Sequence, residues 1–555
     1  MAGQRGVACC HRAGLRGGRR HGVGGRRLAA RPEGGQGGAL GSGGARTCGV
    51  GPARAGPHVG PRLRHLTGRR GEPTVGETIA QYGVAAHARL RPDKVAIVFG
   101  DRRITYRELD GSVNRGARVL ADRGVGPGAR LGLALRNRPE WMTAALGAAR
   151  LGAQVVPIPY GATPDELAYF RTDGEVAFLL DEPGLDRFLD EAARYPSAPI
   201  PDATADYVTL RAYTSGTTGR PKAVLRPDVP AHLSIEGLVG YYRAYGLADP
   251  DEVNVTASPL HHLAGFSGPH SALLLGHTTV LLGHFDAAAW LRAIEVERAT
   301  YAWTAPVHLY RVMHLPREVL DAVDVSSVKR VLHGSAPCAP SLKREVIAFF
   351  PSGALWETYG GTETMGTMIT SEEWLAKPGS VGRPAPGSTI RILDDDGNEL
   401  PAGEIGLVYI GSEWGRGFRY AGPDELTESV YRGNLATLGD LGYVDDDGYL
   451  FVVDRRKDMV ITGGANVYPA EVEAVLAAHP RIAEVAVVGL PDDEYGEIVT
   501  AVVVPEGELD AAAVIAYARE HLVAYKSPRR VELVDALPRD PMGKVRKRDL
   551  RAQYT

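Results

Sequence analysis

Cysteine is scarce in this sequence, and its placement is uneven. Of four cysteines in 555 residues, Cys9, Cys10 and Cys48 fall within the first 73 and only Cys338 lies in the remainder. The body of the chain therefore has no disulfide framework, which fits a reducing, cytoplasmic setting. Long apolar runs are lacking as well. The best candidate, residues 273–282, is interrupted by Gly276 and His277 and is far shorter than the roughly 20 residues of a membrane span, so no integral membrane segment is expected. The body also lacks positive charge. Residues 1–73 hold 14 Arg and no Lys against Glu33 and Glu72, a net +12; the whole chain sums to −3, which leaves −15 for residues 74–555. An acidic body gives no electrostatic reason to expect a nucleic-acid partner.

The first 73 residues contain 21 Gly and almost no apolar periodicity. Such a segment cannot bury enough surface to offset its chain entropy, and disorder is expected. A mitochondrial transit peptide would share the arginines but would be rich in serine, and Ser42 stands alone. An RNA-binding arm would interleave aromatics with the arginines, which this segment does not. The composition changes abruptly at Thr74-Val75, and the preferred reading is upstream sequence translated from a misassigned start.

From residue 75 the pattern is globular. The chain as a whole is 44% hydrophobic and 23% charged, an ordinary composition for a protein too long to fold around one core. Alternating periodicities predict a strand over 130–135, a helix over 141–151 and a strand over 154–158, a βαβ unit that implies a parallel sheet. A helix over 164–171, a strand over 176–180, an Ala/Pro-rich connection and a strand over 207–210 follow. Short alternating strands from 382 to 410 mark a shift to a small antiparallel, barrel-like module. The residues beyond 457 read as a small α+β domain. The expected fold class is α/β: a large N-terminal domain of several subdomains, 75–456, joined by a hinge to a mobile C-terminal domain, 457–555.

Several stretches carry chemistry. Tyr213-Thr214-Ser215-Gly216-Thr217-Thr218-Gly219-Arg220-Pro221-Lys222 combines four hydroxyls, two glycines and a lysine in a turn. Glycines let backbone N–H groups converge on an anion, and the lysine adds charge, so the loop suits phosphate; it is not a Walker A sequence. His261 and His262 adjoin a predicted strand, where neighbours point to opposite faces, so one is expected to line a pocket and the other to pack. Gly334-Ser335-Ala336 would let a flat ring approach the backbone. Thr358-Tyr359-Gly360-Gly361-Thr362-Glu363 offers an aromatic for stacking and a carboxylate able to hold Mg²⁺ beside phosphate. Asp454 to Asp458 are five charged residues in a row, as a solvated inter-domain linker would be. Lys544 stands on a glycine-containing loop near the C-terminus.

In order, Tyr-Thr-Ser-Gly-Thr-Thr-Gly-Arg-Pro-Lys, Pro-Leu-His-His-Leu-Ala-Gly, Tyr-Gly-Gly-Thr-Glu, Gly-Asp-Leu-Gly-Tyr, Asp-Arg-Arg-Lys-Asp and Pro-Met-Gly-Lys closely resemble the adenylate-forming superfamily of acyl-CoA synthetases, peptide-synthetase adenylation domains and luciferases. The resemblance covers roughly residue 75 to the end. It implies that Thr214 to Gly219 and Lys222 hold the β and γ phosphates of ATP. It places adenine between Gly334-Ser335-Ala336 and Tyr359, flanked by Thr358 and Gly360, and ribose on Asp440 and Arg455. Thr362 and Glu363 would meet phosphate and Mg²⁺, with Glu363 as the metal ligand. Lys544 matches the family's catalytic lysine, Lys457 its hinge, and Gly463-Gly464-Ala465 its CoA tunnel, while His262 falls where acid and thiol meet. The implied activity is ATP-dependent ligation of a fatty or aryl carboxylic acid to CoA through an acyl-adenylate. A stand-alone enzyme loading a separate carrier protein is the alternative, and a non-enzymatic adenylate-binding relative the remaining one. Eleven residues follow Lys544, which favours a stand-alone enzyme over a modular synthetase.

Overall fold

In a computed structural model of the chain, residues 81–201, 203–204, 206–214, 221–227, 229–413, 415–540 and 543–555 are described. The Arg/Gly-rich segment 1–73 and its expected disorder lie outside them.

Local sequence sets the first elements. Thr105 accepts the Glu108 N–H while the Glu108 carboxylate accepts the Thr105 N–H, a capping box that opens the helix Tyr106–Asp122. This helix packs on Pro139–Arg150, every residue of which is buried. The predicted βαβ unit is present. Arg130–Ala134 is the middle strand of a parallel three-stranded sheet, flanked by Gln154–Pro157 and Phe178–Asp181.

The main sheet has nine strands. Its six inner strands run parallel in the order Val95–Phe99, Thr278–Leu281, Val253–Thr256, Tyr301–Thr304, Arg330–His333 and Leu355–Gly360. Antiparallel strands close both edges. One face packs Val255, Ala302 and Val331 against the helices Ala287–Val296, Pro306–Met313 and Pro340–Phe349. The other packs Tyr301 and Leu332 against Ala231–Ala244 and Leu263–Leu275. An open parallel sheet with helices on both faces binds ligands at the carboxyl ends of its strands, and the glycine-bearing turns lie there.

An all-antiparallel five-stranded sheet follows, as expected near 382–410. Leu435–Val444 is its hub, pairing with Gly406–Ser412 on one side and Leu450–Arg455 on the other. After Lys457 come the strands Val460–Thr462, Ala465–Val467, Ile482–Asp492, Gly496–Pro505 and Arg530–Leu533, with the helices Pro469–Leu476, Ala511–His521 and Lys547–Tyr554. This C-terminal part belongs to the same compact unit as the rest, Pro61–Thr555. One joining contact is the Tyr310 hydroxyl, which donates to the Ala483 carbonyl at 3.2 Å.

Three expectations fail. The Ala/Pro-rich connection after residue 181 begins with a helix, Glu182–Ala192, because Asp181 caps it through the Gly184 N–H and Pro183 takes a first-turn position where no N–H is needed. The strand expected over 207–210 is a single parallel bridge, Val155 with Leu210, and the true strand is Ala212–Thr214. The histidine pair is not on a strand.

Candidate active site

The turn expected to border adenine is shaped by contact. Gly334 follows the strand Arg330–His333, and a Cβ there would lie 2.6 Å from the Thr358 carbonyl oxygen and 3.1 Å from Thr358 Oγ1, so only glycine lets the two turns close up. Ser335 has φ +70°, one of three non-glycine residues in the left-handed region among the described residues. Strain of this kind concentrates at ligand sites. Across from it, the Tyr359 hydroxyl donates to Asp440 Oδ2 at 2.7 Å. Burial, then the Asp440 charge, pushes the phenol well above its usual range, so it stays a donor. The other carboxylate oxygen lies 3.2 Å from Arg455 Nε. Asp440 and Arg455 are direct cross-strand partners, so the sheet register itself creates the pair of hydroxyl-binding groups assigned to ribose.

The stretch expected to hold phosphate is flanked by a pair of strands. Ala212–Thr214 pairs antiparallel with Lys222–Leu225, and Thr214 is opposite Lys222. The loop between them, Ser215, Gly216, Thr217, Thr218, Gly219 and Arg220, lies outside the described residues. A third strand, Arg419–Tyr420, joins Lys222–Leu225. It sets the Tyr420 ring 5.4 Å from Lys222 Nζ, and the Tyr420 hydroxyl donates to Glu363 Oε1 at 2.9 Å. The turn holding Thr362 and Glu363 is gripped from behind by Arg226, which donates to the Thr362 carbonyl at 2.6 Å and the Glu363 carbonyl at 2.9 Å. Glycine is again required. A Cβ on Gly360 would meet the Thr364 carbonyl oxygen at 2.5 Å.

The sequence reading missed Tyr420 and Arg226. Arg226 follows Lys222 by four residues, a cue that was available. Tyr420 sits on a two-residue strand, too short to show periodicity. Thr437 holds the turn before Asp440 by accepting the Gly439 N–H at 3.0 Å.

His261 and His262 lie in the turn before the helix Leu263–Leu275, with ring centroids 4.4 Å apart. Their rings lie against each other rather than facing opposite sides, because Asn137 fixes the turn, donating to the Ser258 carbonyl and accepting the Leu260 N–H. Burial pushes His261 down to about 3 and lowers His262, so both rings are neutral. Neither Nε2 has a hydrogen-bond partner among the described residues.

Lys544 completes the arrangement. Its loop is closed by the Asp540 N–H donating to the Lys544 carbonyl and the Lys544 N–H donating to Asp540 Oδ1, each at 2.9 Å. The ammonium group is buried beside Arg455, Asp440 and Lys457. Burial first, then the like charge of Arg455, pulls its pKa down to about 8. Burial likewise lowers Lys457. The fold thus gathers Tyr359, Asp440, Arg455 and Lys544 from four separate stretches. Gly463-Gly464-Ala465 is not drawn in. Gly463 (φ +56°) and Gly464 (φ +80°) form an exposed two-residue hairpin turn.

The chain matches the AMP-binding enzyme family over residues 84–415 and the AMP-binding enzyme C-terminal domain over residues 471–544. An indoleacetate–CoA ligase of Aromatoleum aromaticum is 34% identical over 503 residues, 84% of this chain and 96% of the relative. A fatty acid–[acyl-carrier-protein] ligase, ScoC of Streptomyces coeruleorubidus, is 31% identical over 84% of this chain and 95% of its own length. Among solved structures, ATP-bound MatB from Rhodopseudomonas palustris superposes with a TM-score of 0.73 at 32% identity, covering 85% of this chain and 99% of that one. The Bacillus subtilis o-succinylbenzoate CoA synthetase in complex with its acyl-adenylate has the same TM-score at 27% identity, covering 85% of this chain and 97% of that one. The chain belongs to the AMP-binding enzyme family, the adenylate-forming superfamily, with both its main and its C-terminal domains.

Proposed function

We propose that this enzyme ligates a carboxylic acid to the thiol of CoA, converting ATP to AMP and pyrophosphate. It is an acid–thiol ligase by class, as are the indoleacetate and feruloyl-CoA relatives. The observation that carries the reading is the position of the half-buried Lys544 beside Asp440 and Arg455, which sets a cation from the C-terminal part next to the residues expected to hold ribose.

In the first half-reaction the substrate carboxylate attacks the α-phosphorus of ATP. An acyl–phosphate bond forms, the bond to pyrophosphate breaks, and both electrons leave with pyrophosphate. Lys544 and Lys222 offset the charge that builds on the phosphate oxygens in a site shielded from water. Asp440 and Arg455 hold the ribose hydroxyls, and Tyr359 fixes the carboxylate that does so. The Gly334 and Gly360 contacts keep the adenine slot narrow. In the second half-reaction the thiol attacks the acyl carbon and AMP leaves. Rotation about Lys457 would withdraw Lys544 and bring in the Gly463-Gly464 turn, so one domain serves both steps.

Glu363 suits a magnesium ion: Tyr420 occupies Oε1, and its carbonyl is held by Arg226. Among the described residues no group of three or more His, Cys, Asp and Glu could hold a metal alone, so a bound ion would take its other ligands from phosphate and water and neutralise phosphate charge.

The ScoC relative favours one second reading, transfer to a carrier protein. Pyrophosphate release with acid and ATP tests adenylation. Offering CoA and a carrier protein separately tests the acceptor, and acylation of the carrier protein alone would overturn the CoA assignment. No helix among the described residues is long and apolar enough to cross a membrane, and a cytoplasmic site of action remains part of the proposal.

A further inference from the structure

The covered face of the main sheet has an anomaly. Trp303 lies on an inner strand, where side chains are normally sealed, yet it is only half-buried, as are Met368 on the same face of the sheet and Leu238 and Tyr241 on the covering helix. Solvent-accessible space therefore remains between the sheet and the helix Ala231–Ala244. Its walls are aromatic. Tyr207 stands edge-on to His270 at 5.3 Å and is among the groups whose charge acts on Arg226, behind the Thr362-Glu363 turn. The cleft thus opens toward the phosphate side. Tyr241 is tied across it by donation to the Pro386 carbonyl at 3.3 Å.

The indole of Trp303 forms the floor. It fills a notch in the helix Leu263–Leu275 where Gly268 stands, and a Cβ on Gly268 would lie 3.1 Å from Trp303 Cδ1. Beneath the indole, Tyr245 closes the space, its ring 6.3 Å from Trp303 and 5.7 Å from Trp356. Tyr245 is 1% exposed, so no tunnel continues downward. The strand ends at Thr304, and Ala305, still extended and two residues beyond Trp303, leads into the helix whose Val307 meets the Lys544 loop. Two residues of strand span roughly 7 Å. That depth takes one ring on a short linker and is too shallow for a long alkyl tail.

We propose that the acid is a planar aromatic carboxylic acid seated in this cleft, and that Trp303 sets its length limit. The proposal rests on the acid-activating reading of the site and narrows it. Aromatic walls favour a ring by edge-to-face and offset contacts, and the closed floor rejects length.

The test measures pyrophosphate release from ATP with indoleacetate, ferulate, decanoate and palmitate, using the full-length enzyme. The wild type is expected to prefer the two aromatic acids. Trp303→Ala, which removes the floor, should raise the kcat/KM ratio of decanoate to ferulate by roughly tenfold or more. Gly268→Ala works in the opposite direction without opening a cavity: its methyl pushes the indole into the cleft, so kcat/KM for ferulate should fall while KM for ATP holds. A wild-type preference for decanoate or palmitate overturns the proposal, as does an unchanged acid ratio in both variants. Release with none of these acids or a wider acid panel would instead defeat the ligase reading itself, and release with non-aromatic acids alone defeats only the inference.

Discussion

Gly543 precedes Lys544, and its replacement offers a sharp test of how the lysine is delivered. The residue has φ +79°, and a Cβ built on it would lie 2.2 Å from Val307 Cγ1. Ordinary contact begins near 3.4 Å, so in Gly543→Ala either the loop or Val307 must yield by about 1.2 Å. Backbone strain adds roughly 1 kcal/mol, because a left-handed φ is unfavourable for alanine. A displacement of about 1 Å in a catalytic group costs on the order of 100-fold in rate. Acid-dependent pyrophosphate release should therefore fall about 100-fold in Gly543→Ala. Thioester formation from supplied acyl-adenylate should stay near wild type, because the contact belongs to the arrangement that brings Lys544 to Asp440. Val307→Ala alone should change little. In the double variant the nearest remaining contact is residue 307 Cβ at 2.9 Å, so the required displacement falls from about 1.2 to about 0.5 Å and about tenfold of the lost rate should return. Wild-type pyrophosphate release by Gly543→Ala, or a double variant no faster than the single, would refute this account of docking.

Four further outcomes follow from the same geometry. Lys544→Ala should abolish adenylation yet spare thioester formation from supplied adenylate, measured as separate half-reactions; equal loss of both would sink the division of labour. With Lys544 lowered to about 8, it is charged below that pH and neutral above it, so kcat/KM for ATP should be level up to pH 8 and then fall about tenfold per unit. The sign for stability is the reverse: the unfolded chain holds this proton up to the ordinary lysine range, so stability gains from the site as pH rises through 8 toward that range. A pH profile of Lys457→Met, with one like charge removed, should show the limb moved upward. Asp440→Asn, which weakens the pairing of both Tyr359 and Arg455, should raise KM for ATP about 10- to 100-fold, in line with roughly 1.5 to 3 kcal/mol for a charged hydrogen bond. Lys343 is 1% exposed and paired with Glu357, whose pKa burial raises; Lys343→Met should cost about 3 to 5 kcal/mol in urea unfolding, and Lys343→Met/Glu357→Leu should recover most of it.

Much of this architecture was legible because its signals are local. The strand–helix–strand succession over 130–158 and the antiparallel strands from 382 onward are specified by the spacing of a few adjacent residues. The Asp440–Arg455 pair was legible only through motif order, since register across a sheet does not appear in either strand alone. The helix Glu182–Ala192 was lost because Pro183-Gly184 reads as a break, and only the Asp181 cap reveals that both residues fit a first turn. The histidines were misplaced because the strand ends at Thr256 and Asn137, more than a hundred residues upstream, dictates the turn that follows. Arg226 and Tyr420 act through contacts to distant backbone and carboxylate groups that no spacing rule encodes. Trp303 is one apolar residue on a four-residue strand in the sequence alone, and only the structure shows the notch at Gly268 that its indole fills.

Arg455 ends its strand, and the proposed pivot Lys457 is two residues farther on. The rung proposed to hold ribose and the proposed axle are thus separated by two peptide units, and Lys544 would ride at the rim. On the proposed mechanism, nucleotide bound at Asp440 would be less a load on the moving arm than a shim beside its bearing. ATP and AMP, which both carry ribose, would leave that bearing seated, and an empty site would let it loosen between turnovers.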